Sequence, residues 1–195
     1  MNQNTRLSLL EEVQSDHSQE AWAQFSAIYG ELISIWLSRE GLQQADIDDL
    51  KQEVLSTLVR EIDAFHHNGR VGAFRCWLRR IVSNRVNRLW QKKSREQKSV
   101  SPVNLEQMAL QLEDDSSRLS LVWDQFHNEF VLHRLLRQIR PRFSETHMQA
   151  FEKISIEGKC VATVASELGM TTGAVRVAQH RILKALREIA GVMAD

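Results

Sequence analysis

Along most of this chain apolar residues recur every three or four positions and almost nowhere alternate, a pattern that predicts helices and no sheet. Trp22, Phe25, Tyr29, Leu32 and Trp36 predict a first amphipathic helix over about 18–38. Leu50, Val54, Leu55, Leu58, Val59 and Ile62 predict a second over about 46–63, with Asp46, Asp48 and Asp49 in its first turn, where acids favour the helix dipole. Phe74, Trp77, Leu78, Ile81, Val82 and Leu89 define a third, whose other face reads Arg75, Arg79, Arg80, Ser83, Asn84, Asn87 and Arg88. Periodicity fades beyond Lys93, and QKSVSPVNLEQMALQLEDDSSRLS, with Pro102 and its acidic and serine-rich stretches, reads as a linker. Helicity resumes near Val122 with Phe126, Phe130, Leu135, Leu136 and Ile139 before Pro141, and continues in a helix carrying Met148, Phe151 and Ile154. The expected fold is all-α: two small helical domains, 1–95 and 122–195, joined by an acidic flexible linker, 96–121.

The stretch VATVASELGMTTGAVRVAQHRILKALREI, residues 161–189, is helix, turn, helix. Val164, Ala165 and Leu168 keep helical spacing, Gly169 supplies a left-handed stop, and Thr171 or Thr172 can cap the second helix. In that second helix Val175, Ala178, Ile182, Leu183, Leu186 and Ile189 form the stripe to be buried, leaving Thr172, Arg176, Gln179, His180 and Arg181 outward. Small Ala165 suits a close crossing of the two helices. A helix held this way can enter a DNA major groove. An ordinary helical hairpin with a solvated polar face is the plainer reading.

Composition changes the picture only in part. A chain of 195 residues with 43% hydrophobic content can bury a core. Its two cysteines, Cys76 and Cys160, have no neighbouring Cys or His partner that would suggest a zinc site. The start, MNQNTRLSLLEEVQ, lacks an apolar signal core, and no segment approaches the ~20 apolar residues of a membrane span, so the expected compartment is the cytoplasm.

The formal net charge of zero argues at first against nucleic acid, but it conceals segregation. Residues 70–98 carry Arg70, Arg75, Arg79, Arg80, Arg85, Arg88, Lys92, Lys93, Arg95 and Lys98 against the single acid Glu96. Acid collects at Glu40, Asp46, Asp48, Asp49 and Glu53, and again at Glu106, Glu113, Asp114, Asp115, Asp124 and Glu129. One surface can meet a polyanion and another a basic protein. A divalent-metal site would need the oxygens of Asp46, Asp48, Asp49 and Glu53 to converge on one point, and no general base accompanies them. Adjacent His66 and His67 are poor ligand geometry without acidic or Cys companions. Trp77 could stack on a base, but it lies on the apolar stripe, which favours packing; Cys76 reads as a small filler.

Three segments, DIDDLKQEVLSTL at 46–58, FRCWLRRIVSNRVNRLWQKK at 74–93 and the 161–189 motif, occur in the order found in RNA polymerase sigma factors of the extracytoplasmic-function type, and the chain resembles that family. Members keep the second and fourth sigma regions joined by a linker. The resemblance implies that Asp48, Asp49, Gln52 and Glu53 bind a coiled coil of the polymerase's largest subunit. It implies that the third helix opens DNA and reads the minus-ten region, with Asn84 and Asn87 on base edges and Arg75, Arg79, Arg80 and Arg88 on phosphates. The His66–Arg70 loop resembles the family's pocket for a flipped base. In region 4 the base-reading set is Thr172, Arg176, Gln179 and His180, while Arg181, Lys184 and Arg187 suit phosphate or the polymerase flap helix. The linker either mimics nucleic acid in a basic channel or serves as a spacer. The implied partners are core RNA polymerase and promoter DNA, with an anti-sigma factor as a third candidate and no membrane insertion.

The expectation is therefore a transcription initiation factor with no catalytic residues, no metal and no cofactor. The main rival is a helix-turn-helix regulator whose N-terminal half senses a ligand or dimerises, and a metal-dependent nuclease is a third class.

Overall fold

The computed structural model describes residues 9–16, 19–66, 72–95 and 104–190. Among these, the elements are α1 (Leu9–Asp16), α2 (Gln19–Arg39), α3 (Gln44–Glu61), α4 (Ala73–Arg95), α5 (Leu105–Glu113), α6 (Arg118–Ile139), α7 (Glu145–Ser155), α8 (Val161–Leu168) and α9 (Thr172–Ala190), with 3-10 turns after α3 and α6 and no strand. The chain divides into two compact units, 7–130 and 131–194, the boundary falling within α6.

In the first unit α2, α3 and α4 bury most of the predicted stripes, but Val59, expected on the buried face of α3, is exposed. Phe25, Leu32, Trp36, Leu50, Val54, Leu58, Leu78 and Val82 are all almost wholly removed from water. Phe74 joins Phe25, Tyr29, Phe65 and Trp77 in a continuous set of ring contacts. Trp77 thus packs in the apolar layer, its ring 5.0 Å from that of Phe65. Helix α1 lies ahead of the first helix that the periodicity predicts. Its Val13 is fully buried, and the Gln14 side-chain amide donates to the carbonyls of Ile62 and Phe65, capping the end of α3.

The expected flexible linker is structured where it is described. Residues 105–113 form α5, begun by Asn104, whose side chain accepts from the Gln107 amide. Leu105, Met108, Ala109 and Leu112 fall at helical spacing and are buried. α5 packs on α4, and the Ser83 hydroxyl donates to the Ala109 carbonyl across that contact. α6 then begins at Arg118, earlier than the periodicity suggests, and Trp123 meets Trp36 edge-on at 4.8 Å. Residues 96–103 of the expected linker lie outside the described residues.

The second unit is built from the end of α6 and from α7, α8 and α9. One apolar cluster joins Leu135, Ile139, Met148 and Phe151 to Ile182, Leu186 and Ile189. A smaller one joins Ala150 to Val164, Ala165 and Val175 and seats α8 between its neighbours. Pro141 ends α6 in a 3-10 turn, because its ring cannot continue the helical ladder.

Candidate nucleic-acid interface

On α3, Asp49, Gln52, Glu53 and Ser56 succeed one another within two turns along an exposed stripe, because Leu50, Val54 and Leu58 between them hold the opposite face in the core. The other acids of that turn have internal partners. Asp46 is buried and paired with Lys93 at 2.6 Å. Asp48 accepts from Lys51 at 3.0 Å and from Gln44 at 3.2 Å, and those hydrogen bonds, Lys51 first, hold its carboxyl below the usual range. Of the four expected docking residues, Asp49, Gln52 and Glu53 therefore present exposed side chains, and Asp48 is tied to its own helix. Asp46 and Asp48 face separate partners, and among the described residues no group of three or more His, Cys, Asp or Glu converges.

The exposed stripe forms one wall of a groove of about 580 Å³ whose other wall is α4, through Arg85, Arg88, Leu89 and Lys92, with Arg60 near its end. An acidic and amide wall thus faces a basic one. The charge pattern along the chain suggests separate acidic and basic surfaces; the packing of α3 on α4 brings them to one.

The outer face of α4 is narrower than expected. Arg80, Asn84, Asn87 and Arg88 are exposed and lie within about two turns of one another. Arg79, expected at a phosphate, is instead buried with 1% of its side chain exposed. Its guanidinium donates to Asp115 and, at 3.3 Å, to Asp124, so the acids of the α5–α6 segment hold it inside the unit. Arg75, also expected at a phosphate, is largely covered: its Nε lies 3.1 Å from Asp124 and its Nη1 donates to Asn128 at 2.6 Å. Ser83 is buried as well, against α5. Arg85 is buried and donates from Nε and Nη2 to Thr57 at 3.0 and 2.6 Å; burial, more than neighbouring charge, lowers its pKa. Of the His66–Arg70 loop, 67–70 lie outside the described residues. His66 is exposed, its Nδ1 2.8 Å from the Ala64 carbonyl.

In the second unit the predicted punctuation is in place. Gly169 ends α8 at φ 62°, where an L side chain would be strained. The Thr171 hydroxyl accepts from the Ala174 amide at 3.1 Å and caps α9. Cys160 caps α8, its sulfur accepting from the Thr163 amide at 3.5 Å; the Thr163 hydroxyl, 3.0 Å away, and that amide lower the thiol pKa. Lys153 and Lys159 clasp Glu167 from α7 and the turn after it, fixing α8 from its solvent side. Thr172, Arg176, His180 and Arg181 are exposed as expected. Gln179 is not: it is half-buried, and its amide donates to the Ser155 hydroxyl at 3.3 Å, which ties α9 to the end of α7. The outward position beside Arg176 is taken by Val177, which the polar pattern conceals. Arg142, also not singled out from the sequence, joins His180, Arg181 and Lys184 around a shallow hollow of about 480 Å³.

With this geometry established, comparison with known proteins gives a match over part of the chain. Residues 25–96, the span of α2, α3 and α4, match Sigma-70 region 2. No curated protein matches the chain. Among solved structures, CnrH in complex with the cytosolic domain of CnrY is similar at 18% identity over 92% of each chain, with a TM-score of 0.35, a likeness too slight to carry an argument. No helix among the described residues is long and apolar enough to cross a membrane. The matched span is thus similar to Sigma-70 region 2 on α2–α4, and a helix-turn-helix on α8–α9 follows it outside that span.

Proposed function

We propose that the chain acts in the cytoplasm by docking on core RNA polymerase through Asp49, Gln52 and Glu53 and holding melted promoter DNA on the α4 face of Arg80, Asn84, Asn87 and Arg88. The unit 131–194 then serves as region 4, with Thr172, Arg176, His180 and Arg181 toward an upstream element. The observation that carries this reading is the groove between α3 and α4, where an exposed acidic and amide row lies beside an exposed basic one within the span that matches Sigma-70 region 2. Acids and amides at helical spacing suit a basic helical partner. Cations with two asparagines suit a strand whose bases are unpaired while its phosphates keep their charge. An anti-sigma factor, the third partner the resemblance implies, would have to compete with core for such a surface.

In vitro transcription with sigma-free core and genomic DNA fragments tests it. Promoter-specific transcripts that need both core and this chain support the reading. Tight binding of duplex DNA without core and no transcripts would favour a helix-turn-helix regulator, and magnesium-dependent cleavage a nuclease.

A further inference from the structure

The exposed face of α9 carries one large apolar side chain. Val177 is 57% exposed although the buried stripe of that helix is complete without it, through Val175, Ala178, Ile182 and Ile189. At about 100° per residue, Gly173, Val177, His180 and Lys184 all fall within about 50° of the line opposite that stripe. Arg176 flanks them on one side and Arg181 on the other. Gly173 is the second oddity of the same line. It lies in the first turn of α9, its φ is not in the left-handed region, and a Cβ built there would meet only the Thr171 hydroxyl, at an ordinary 3.9 Å. Nothing among the described residues requires glycine at this position.

Both residues are unfavourable choices for a helix face that meets only water. Glycine costs about 1 kcal/mol relative to alanine in a helix, and a β-branched valine costs several tenths. An external surface that comes close at Gly173 and offers an apolar group to Val177 would account for both. The chemistry of that surface can be read from the neighbours: Arg176, His180, Arg181 and Lys184 surround Val177, and no acid occurs in α9 before Glu188. A polyanion with an apolar group set among hydrogen-bonding edges fits this description. In a DNA major groove that group is the thymine 5-methyl.

We infer that Val177 is a specificity-determining residue that packs on the 5-methyl group of one thymine in the upstream promoter element, with Gly173 leaving the room for that base pair to approach. The inference rests on the reading of α9 as a groove-entering helix and adds which chemical group it selects. Arg176 supplies hydrogen bonds to a neighbouring base pair, and Val177 rejects cytosine and uracil-like edges by the lost apolar contact.

The test uses the full chain with core polymerase. A library randomised across the upstream element is first transcribed to obtain the preferred duplex, and each thymine of that duplex is then replaced in turn by 2′-deoxyuridine, which removes only the methyl group. Wild type should lose about three- to tenfold in promoter affinity at one replaced position, the scale of one buried methyl. Val177→Ala should bind the thymine and deoxyuridine duplexes equally there, at the affinity wild type shows for deoxyuridine, with every other position unchanged. Alanine favours the helix, so circular dichroism should be preserved. If Val177→Ala keeps the full deoxyuridine penalty, if wild type shows none at any thymine, or if the selected element holds no thymine, the inference is overturned. A loss confined to core association would overturn it in favour of a protein partner on this face. If wild-type holoenzyme enriches no upstream element at all, the groove-entering reading itself has failed, a result distinct from all of these.

Discussion

Replacing Arg79 separates two roles that a basic helix can give an arginine. In the structure its guanidinium is out of water and held by Asp124 at 3.3 Å and by Asp115. Breaking a buried ion pair by removing one partner costs about 3–5 kcal/mol when the other is left uncompensated. That condition is only partly met here. Asp124 keeps Arg75 at 3.1 Å, and Asp115 is 62% exposed, so water takes over much of its charge. The expected loss is therefore smaller, about 2–3 kcal/mol for Arg79→Ala and nearer ~1–2 for Arg79→Met, which keeps an apolar stem in the space. All five tryptophans, Trp22, Trp36, Trp77, Trp90 and Trp123, lie in the unit 7–130, so tryptophan fluorescence during urea unfolding reports that unit alone. The same variant should leave the salt dependence of open-complex formation at its wild-type slope once assayed where it is folded. An arginine on a phosphate would do the reverse, sparing stability and lowering the log–log slope by about 0.9. Wild-type urea resistance with a reduced slope would refute the buried-anchor reasoning. A double-mutant cycle sharpens it: Arg79 should couple more strongly to Asp124, 26% exposed, than to Asp115.

Three further outcomes rest on other contacts. His127 is 7% exposed beside Tyr29, and burial, with a smaller contribution from the Arg75 charge, lowers its pKa to about 4. The unfolded chain therefore binds the extra proton as pH falls from about 6.5 toward 4, and stability should decline across that window by at most about 3 kcal/mol, a slope that His127→Phe should flatten; parallel wild-type and variant curves would sink the idea. Cys160→Ser puts a stronger acceptor at the start of α8 and should raise the stability of the unit 131–194 by roughly 0.5 kcal/mol, followed by circular dichroism; a lower midpoint would count against the cap. Asp49→Arg with Glu53→Arg should abolish core association in a pull-down while helicity is retained, since reversal turns attraction into repulsion at a desolvating interface, and unchanged affinity would exclude this row as the docking face.

The helices and the punctuation are legible because they depend on neighbours in sequence. Trp22 to Trp36 declare α2 by spacing alone, and Gly169 and Thr171 declare the turn by backbone and capping chemistry. α5 is legible too, through Asn104, Leu105, Met108, Ala109 and Leu112, but Pro102 and the Ser–Asp run beside it favour a linker reading. Arg79 and Arg85 are not legible in the same way. A charged residue is assigned to solvent by default, and what overrides the default lies far off along the chain, at Asp115 and Asp124 for one and at Thr57 for the other. The faint local signal is that Arg79 stands two helical turns before Val86, on the edge of the buried stripe. Gln179 escapes the sequence for a similar reason, because its partner Ser155 belongs to another helix.

The covering of Arg75, Arg79 and Arg85 has a consequence for the proposed function, in how the free protein would meet duplex DNA. Three guanidiniums withdrawn from phosphate contact subtract about 2.7 from the log–log salt slope that a fully outward α4 would give, which at physiological ionic strength is a large loss of indiscriminate affinity for duplex DNA. Under the proposed function, a copy without polymerase should be held less tightly on the excess of non-promoter sequence and so remain more available to core enzyme. On that reading, charge hidden inside the unit would limit the time the molecule spends on indiscriminate sites, and a salt titration of the free chain on random duplex would measure it directly.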